Sequence, residues 1–235
     1  ASDLRQRLSI TLDHEVEVLE HQFARNNVAW ATGTARFTDP NTIEVTHEGR
    51  IQRFVGDKFI LAVGTAPYRP PHIPFDGETI LDADEILELK RLPRSLAVIG
   101  GSVIGIEYAT IFSALDVKVT VIDPAERVLP FIDRELVDEF VHDMRDRGMT
   151  LRFESKVKAV RKMGQDACLI DLEDGRQIWS EMILFAAGRK GAIDGLGLEA
   201  CGLAGDERGR IGVNRETYQT KVPHIYAVGD IIGEG

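Results

Sequence analysis

Six consecutive residues, Gly100-Gly101-Ser102-Val103-Ile104-Gly105, have the types and spacing that could bind a phosphate group. An apolar run, Leu96–Ile99, precedes them, and a run compatible with a helix continues to Leu115. A tight turn between a strand and a helix directs backbone N–H groups and the positive end of the helix dipole toward one point. We interpret Ser102, which replaces the second glycine of the usual fingerprint, as a tolerated variant whose hydroxyl is a further donor. The segment predicts a dinucleotide site, with a glycine-rich structural turn as the alternative.

Asp123 adds a second feature of the same fingerprint, because it follows the apolar run Val117–Ile122 and lies 23 positions after Gly100. A carboxylate at the end of this strand accepts hydrogen bonds from the hydroxyls of an adenosine ribose and repels a 2′-phosphate. We therefore expect NAD to be preferred over NADP, with Arg127 as the nearby cation that could contact a phosphate. The alternative is that Asp123 and Pro124 form a turn that caps the strand.

The elements that position these residues alternate between strand and helix from Pro93 onward. The pattern predicts strands at Leu96–Ile99, Val117–Ile122 and Met149–Phe153, and helices at Val103–Leu115 and Asp133–Arg147. An antiparallel meander over Val157–Ser180, with a hairpin turn at Asp174-Gly175, and a buried strand, Met182–Ala187, follow. The predicted fold class is α/β, a Rossmann-like NAD-binding domain that combines a parallel sheet with an antiparallel meander.

The flanking segments predict two pieces of another domain. The first contains an amphipathic helix over Asp3–Asn26 and short β-prone runs at Val28–Arg36, Thr42–Thr46, Ile51–Phe54 and Lys58–Val63. The second contains a buried strand, Ile225–Val228, which is followed by Gly229-Asp230. These runs do not make a complete sheet, so we expect a fragment of a longer polypeptide. The expected domains are 1–81 and 206–235, both parts of one FAD-binding domain, and an inserted dinucleotide-binding domain, 82–205.

The composition favours a soluble globular protein with small-molecule or protein partners. Of 235 residues, 43% are hydrophobic, and 28 Lys+Arg against 38 Asp+Glu give a formal net charge of −10, which argues against nucleic-acid binding. No apolar run has the length of a membrane helix or a secretory signal, so a cytoplasmic location is the default expectation. Cys168 and Cys201 are 33 residues apart and we interpret them as incidental thiols, while His14 and His21 lack a third metal ligand.

Four segments resemble the flavin-dependent pyridine nucleotide-disulfide oxidoreductases, and the resemblance covers nearly the whole sequence. They are Ala62-Val63-Gly64-Thr65, Gly100-Gly101-Ser102-Val103-Ile104-Gly105-Ile106-Glu107, Ala187-Gly188-Arg189 and Thr220-Lys221-Val222-Pro223-His224-Ile225-Tyr226-Ala227-Val228-Gly229-Asp230. Within this family the sequence is most similar to the soluble pyridine nucleotide transhydrogenases. That similarity depends on Gln22-Phe23-Ala24-Arg25-Asn26-Asn27, Gly33-Thr34-Ala35-Arg36-Phe37, Tyr108-Ala109-Thr110-Ile111-Phe112 and Gly188-Arg189-Lys190-Gly191.

The resemblance implies the cofactors FAD, NAD(H) and, for a transhydrogenase, NADP(H), together with a homodimeric full-length protein. The residues that it assigns to the flavin are Ala35, Ala62, Gly64, Gly229 and Asp230. The residues assigned to the nicotinamide dinucleotide are Gly100, Gly101, Ser102, Val103, Ile104, Gly105, Glu107, Asp123, Gly188 and Arg189. Three of these have structural alternatives: Asp230 as a helix N-cap, Glu107 as an exposed helix residue, and Arg189 as a solvated loop charge.

The implied activity is hydride transfer between NAD(P)(H) and FAD, most similar to that of a transhydrogenase. Dual cofactor use conflicts with Asp123, which is more typical of NAD-linked dihydrolipoyl dehydrogenases. One alternative is therefore a dihydrolipoyl dehydrogenase-like disulfide reductase, whose cysteine pair and acid–base histidine would lie outside these residues. Another is a non-catalytic module that binds NADH. No side chain of the sequence is assigned as a catalytic acid or base.

Overall fold

The computed structural model describes residues 2–233, with side chains from Gln6 onward, and it divides into two compact units. Unit 1 contains residues 2–9 and Pro67–Gly188, and unit 2 contains Ile10–Ala66 and residues 189–233. These divisions differ from the domain boundaries expected at 81/82 and 205/206. Residues 1, 234 and 235, which belong to the expected ranges 1–81 and 206–235, lie outside the described residues.

Within the residues that the structure describes, the regular elements are short apart from three helices. The helices are α1 (Ser2–Arg25), α2 (Val103–Ala114) and α3 (Arg134–Asp146), with 3-10 turns at Glu85–Glu88, Leu198–Cys201 and Gly229–Ile232. The strands of the first half are β1 (Thr34–Asp39), β2 (Thr42–His47), β3 (Arg50–Val55), β4 (Phe59–Leu61), β5 (Thr65–Pro67), β6 (Ile80–Asp82) and β7 (Ser95–Ile99). Those of the second half are β8 (Lys118–Ile122), β9 (Thr150–Arg152), β10 (Val157–Lys162), β11 (Cys168–Leu172), β12 (Gln177–Ser180), β13 (Met182–Phe185), β14 (Arg189–Gly191) and β15 (Ile225–Ala227).

Unit 1 is built on a parallel sheet with the strand order β6-β13-β7-β8-β9. Helix α2 connects β7 to β8 and helix α3 connects β8 to β9, so the predicted βαβαβ arrangement is confirmed. The central strands β7 and β13 are almost completely buried, as expected for a sheet covered on both faces. Strand β6 is the edge strand beside β13, which explains why unit 1 begins before residue 82.

Different structures cover the two faces of this sheet. Helices α2 and α3 cover one face, with Ile106, Ala109 and Phe112 of α2 and Val137, Val141 and Met144 of α3 in a single apolar cluster. The antiparallel meander β10-β11-β12 covers the other face, where Val160, Ile170 and Leu172 pack with Ala97, Ile99, Ile122 and Ile183. The predicted fold class, a parallel sheet with an added antiparallel meander, is therefore confirmed.

Unit 2 contains the antiparallel sheet β1-β2-β3 and the parallel pair β15-β4. Its core includes Phe37, Leu61 and Ile225 together with Leu196 and Leu203. The backbone N–H of Phe37 also donates to Leu196 O at 2.8 Å. Residues 189–205 therefore belong to unit 2, which moves the second boundary from 205/206 to Gly188/Arg189.

Two sequence predictions for the first 36 residues had different outcomes. The helix predicted over Asp3–Asn26 is confirmed as α1, and its apolar side chains Leu12 and Val16 are exposed. The strand predicted over Val28–Arg36 begins only at Thr34. Gly33 explains the shift, because its φ of +149° brings the backbone so close to Thr46 that a Cβ would lie 2.6 Å from the Thr46 carbonyl oxygen. Within residues 2–233, no helix combines the length and the apolar character that a bilayer-spanning helix requires.

The side chain of Asp76 fixes the start of β6. One of its carboxylate oxygens accepts hydrogen bonds from the backbone N–H groups of Glu78, Thr79 and Ile80, at 2.8–3.0 Å. The other accepts from the Thr79 hydroxyl at 2.7 Å and pairs with Lys162 Nζ at 2.6 Å. Burial by itself would raise the pKa of Asp76, but the N–H groups and Lys162 outweigh it and hold the pKa far below its ordinary value of 3.8.

We expect Asp76→Ala to lower the free energy of unfolding of unit 1 by about 1–3 kcal/mol, because it leaves several donors without an acceptor. Trp179 is in unit 1 and Trp30 is in unit 2, so a Trp30→Phe background makes tryptophan fluorescence report on unit 1. The control is Glu173→Ala, which removes an exposed carboxylate.

This contribution has a defined pH dependence. The pKa of Asp76 is lower in the folded state than its ordinary value of 3.8, so its ionised carboxylate stabilises the folded state fully above pH 3.8. This stabilisation is lost progressively as the pH falls below that value. The stability difference between the parent and Asp76→Ala should therefore shrink below about pH 4. A stability difference that does not change with pH would show that the carboxylate of Asp76 does not stabilise the fold through its ionised form.

Candidate dinucleotide-binding site

The turn from β7 into the first residues of α2 requires glycine at two positions. Gly100 has a φ of +113°, and a Cβ on it would lie 2.7 Å from the carbonyl carbon of Ala186. A Cβ on Gly105, in the first turn of α2, would overlap the carbonyl oxygen of Gly100. The end of β7, the start of α2 and the residues after β13 therefore approach each other at backbone distance.

Ser102 is the N-cap of α2 and connects the loop to the end of β13. Its Oγ accepts a hydrogen bond from the Gly105 N–H at 3.5 Å and donates one to the Ala186 carbonyl oxygen at 2.9 Å. The hydroxyl that we expected to be a free donor is thus bonded to the protein. This link has no local signal in the sequence, because Ser102 and Ala186 are 84 positions apart.

The N-terminus of α2 supplies the positive potential of the site. The first turn of an α-helix has N–H groups without intrahelical acceptors, and here they include those of Val103 and Ile104. The helix dipole adds about half a positive charge at the same end. Because the loop lies at the carboxyl ends of parallel strands β7 and β13, this arrangement can bind a pyrophosphate through backbone groups.

Asp123 lies directly after β8, beside the glycine loop. One carboxylate oxygen accepts a hydrogen bond from the backbone N–H of Gly101, and the other accepts from the N–H of Ala125 at 2.7 Å. The bond to Ala125 forms the turn that the sequence offered as an alternative. The contact with Gly101 places the side chain at the predicted site, although with a backbone partner that the sequence did not reveal.

The remaining residues assigned to the nicotinamide dinucleotide divide between the units. Gly188, with a φ of +114°, follows β13 in unit 1, and Glu107 is exposed on the first half of α2. Arg189 belongs to unit 2, where its Nε donates to the Thr65 hydroxyl and its Nη2 to the Thr65 carbonyl, both at 2.7 Å. This guanidinium is held by strand β5 and is therefore not the solvated loop charge of the alternative.

Four of the five residues assigned to the flavin follow the carboxyl ends of the parallel strands β4 and β15. Ala62 and Gly64 come after β4, and Gly229 and Asp230 come after β15. The carboxylate of Asp230 is exposed and does not cap the 3-10 turn that begins at Gly229, so the N-cap alternative is wrong. This edge of the pair offers one carboxylate and backbone groups to a polar ligand.

Ala35 lies on the antiparallel sheet of unit 2, where it pairs with Val45 across β1 and β2. An open cavity of about 360 Å³ adjoins Val45 on this sheet. The other residues that line the cavity are Trp30, Ala31, Thr32, His47, Arg50 and Gln52. This cavity was not predictable from the sequence, because its lining comes from an irregular segment and two strands.

The two cysteines are both buried and lie in different units. Cys168 Sγ donates to Thr79 O at 3.9 Å and Cys201 Sγ to Leu198 O at 3.2 Å. Burial raises the pKa of each thiol. Neither therefore has the low pKa and accessibility of a redox-active cysteine.

A glycine loop between a strand and a helix, at the carboxyl edge of a parallel sheet, is typical of the dinucleotide-binding α/β folds. The family model for pyridine nucleotide-disulphide oxidoreductases matches residues 4–235. The chain belongs to this family.

Individual relatives agree with this assignment. The chain is 44% identical over 234 residues to the soluble pyridine nucleotide transhydrogenase of Mycobacterium bovis (strain BCG / Pasteur 1173P2), covering 99% of the chain and 50% of the relative. It is 38% identical to that of Vibrio vulnificus (strain YJ016), covering 99% and 51%. The chain thus spans about half the length of these relatives.

Two solved structures have the same fold. LpdA from Mycobacterium tuberculosis superimposes with a TM-score of 0.90 at 26% identity, covering 97% of this chain and 51% of that one. The HOCl-induced flavoprotein disulfide reductase RclA from Escherichia coli gives 0.87 at 28% identity, covering 98% and 52%.

We expect Gly105→Ala to lower the stability of the chain by about 1–3 kcal/mol, because the new methyl group would overlap the Gly100 carbonyl oxygen. Differential scanning calorimetry measures the effect. The matched control is Gly212→Ala, where nothing lies within 4 Å of the added Cβ and φ is not left-handed. Equal unfolding temperatures for the two variants would show that the loop and α2 are not in backbone contact.

Proposed function

We propose that the chain forms the nicotinamide-dinucleotide site and part of the flavin site of an FAD-dependent oxidoreductase that transfers hydride between NAD(P)(H) and FAD. The proposed activity of the full-length protein is transhydrogenation, from one nicotinamide dinucleotide through the flavin to another. The single observation that carries the proposal is the loop Gly100–Gly105, with α2 starting at its end and Asp123 hydrogen-bonded to it. The identity to transhydrogenases supports the particular activity.

The residues present fit a dinucleotide because Gly100 and Gly105 let the first turn of α2 pack against the end of β7, which places the N–H groups of α2 at the carboxyl edge of the sheet. The N–H groups of Val103 and Ile104 bind the pyrophosphate, and the half-buried Asp123 contacts the adenosine ribose. Gly188, after β13, allows the nucleotide to pass close to the backbone. Glu107, on the exposed side of α2, faces the reactive end, as the family resemblance implies.

The flavin assignments fit the geometry of unit 2 in the same way. Gly229 has a φ of +75°, and nothing lies within 4 Å of the position of its missing Cβ, so the backbone there is open to a ligand. Asp230 accepts hydrogen bonds from the sugar-alcohol chain, and Ala62 and Gly64 contact the cofactor from the adjacent strand end. Ala35, on the antiparallel sheet, is the fifth residue that contacts the cofactor.

When bound, the nicotinamide and the flavin supply the hydride chemistry itself. The residues of this chain bind the two cofactors, orient them and exclude water. Arg189 acts indirectly, because its guanidinium holds the chain at Thr65 just before the crossing into unit 1. No side chain of the described residues is needed as an acid or base for this role.

The second candidate function, a dihydrolipoyl dehydrogenase-like disulfide reductase, is supported by the similarity to the disulfide reductase RclA. The cysteine pair of such an enzyme would lie outside these residues, and the buried Cys168 and Cys201, which lie in different units, are not that pair. The third, a non-catalytic module that binds NADH, needs only the unit 1 site. A cytoplasmic location and a homodimeric full-length protein complete the proposal.

The test of the dinucleotide site exchanges Ser102 for Asp or Asn. Both residues are good N-caps, but only the aspartate puts a negative charge where the pyrophosphate would bind. We expect Ser102→Asp to bind NADH at least about tenfold more weakly than Ser102→Asn, as measured by calorimetry. Circular dichroism checks that both variants fold. Equal affinities would contradict the assignment of the loop.

A second prediction concerns the flavin. The sequence contains a single glycine-rich strand–helix fingerprint, which we assign to the nicotinamide dinucleotide, so no second one is present for the ADP half of FAD. We expect the 235-residue chain to purify with little or no FAD while it binds NADH. A flavin absorbance band at stoichiometric level after gel filtration would show that the unit 2 residues are sufficient by themselves.

A further inference from the structure

We propose that Asp123 is a positioning residue that anchors the glycine loop, so that it sets how tightly the site binds a nicotinamide dinucleotide and allows both NADH and NADPH. This inference rests on the proposed function and refines its cofactor choice. It differs from the sequence-based expectation, in which the Asp123 carboxylate selects NADH and repels the 2′-phosphate.

The first argument is the pair of hydrogen bonds that the carboxylate accepts. One oxygen bonds to the Gly101 N–H and the other to the Ala125 N–H, so the side chain bridges the glycine loop and the turn after β8. Hydrogen bonds between backbone N–H groups and an ionised carboxylate are among the stronger ones in proteins. Asp123 therefore holds two segments together before any ligand arrives.

The second argument is the close packing at Gly101. A Cβ on Gly101 would lie 2.7 Å from Val128 Cγ1 and 3.1 Å from the bonded oxygen of Asp123. Val128 is 1% exposed, so it is fixed beneath the loop. Gly101 is thus confined between an apolar side chain and a carboxylate, and the direction of its N–H depends on Asp123.

The third argument is the charge that a 2′-phosphate would meet. The N–H of Asp123 donates to Arg152 O at 2.9 Å, its carbonyl accepts from Ser155 N at 3.0 Å, and Ala125 O accepts from Glu154 N. Residues 123–127 and 152–156 therefore run side by side. Together they carry three carboxylates, Asp123, Glu126 and Glu154, and three cations, Arg127, Arg152 and Lys156.

The formal charges of the two segments sum to zero, and the two N–H groups bonded to Asp123 partly offset the charge of its carboxylate. The repulsion that an isolated carboxylate would exert on a phosphate is weakened accordingly. A carboxylate has about four lone-pair sites, and Asp123 uses two of them, so it can still accept from a ribose hydroxyl. One side chain can therefore anchor the loop and contact the ribose of either cofactor.

The test combines nucleotide titrations with amide hydrogen exchange on the 235-residue chain and its Asp123→Ala and Asp123→Asn variants. The control is Asp133→Ala, because Asp133 also accepts from a backbone N–H two residues on, at 2.9 Å, but caps α3 instead of contacting the loop. NADH and NADPH are titrated at one fixed salt concentration, since screening changes the phosphate contribution.

We expect the parent to bind NADH and NADPH within about tenfold of each other. Asp123→Ala should weaken the binding of NADH and that of NADPH by a similar factor, about tenfold. The ratio of the two dissociation constants should stay within about threefold of the ratio in the parent. In the absence of nucleotide, exchange of the Gly101 amide should be about tenfold faster in Asp123→Ala than in the parent or in Asp133→Ala. In Asp123→Asn, which keeps one acceptor oxygen, the exchange rate of the Gly101 amide should lie between the rates in the parent and in Asp123→Ala.

Two results would overturn the proposal. One is a parent preference for NADH above about 100-fold that Asp123→Asn shifts toward NADPH, which would make Asp123 a selector. The other is an unchanged exchange rate of the Gly101 amide in Asp123→Ala. It would show that Asp123 does not hold the glycine loop, whatever the nucleotide affinities are. A parent that binds neither nucleotide contradicts the proposed function, whereas the exchange measurement still decides on the anchor.

Discussion

The close approach of β7, α2 and the end of β13 is the constraint on which the other features of unit 1 depend. Because Gly100 and Gly105 carry no side chain, the first turn of α2 packs against the loop that precedes it. The helix is then aligned with the sheet, and Ile106, Ala109 and Phe112 enter the core. The same approach points the unpaired N–H groups of the helix at the carboxyl edge of the sheet. Core packing and ligand binding therefore require the same geometry.

The site illustrates how an acidic protein can attract an anionic ligand. The chain carries a net charge of −10, yet the loop presents backbone N–H groups and a helix dipole rather than lysine or arginine. Such groups act over the first few ångströms and are held in place by the fold, so the overall charge has little influence at contact distance. The two segments beside the site, 123–127 and 152–156, carry three cations and three carboxylates.

The parts of the structure that the sequence predicted are those encoded by local patterns. Helices α2 and α3 and the strands between them follow from apolar periodicity, and the loop Gly100–Gly105 follows from spacing. The unit boundaries were not predictable in this way, because β6 is three residues long and becomes a strand only by pairing with β13, a hundred residues later. The Ser102–Ala186 and Asp123–Gly101 contacts were missed for the same reason. The residue types of Ser102 and Asp123 indicated that their side chains belong to the site, but the backbone groups that they bond to are brought near only by folding.

The chain crosses between the units three times, after residues 9, 66 and 188, and the last two crossings lie side by side within unit 1. The Tyr68 N–H donates to the Gly188 carbonyl oxygen at 3.0 Å, so the continuous segment Pro67–Gly188 begins and ends at one place. A segment whose ends are adjacent can be inserted into a host domain at a single surface position, without long linkers and without separating the elements of the host. The segment Pro67–Gly188 therefore has the form of an inserted module, because it can be attached to its host at a single position.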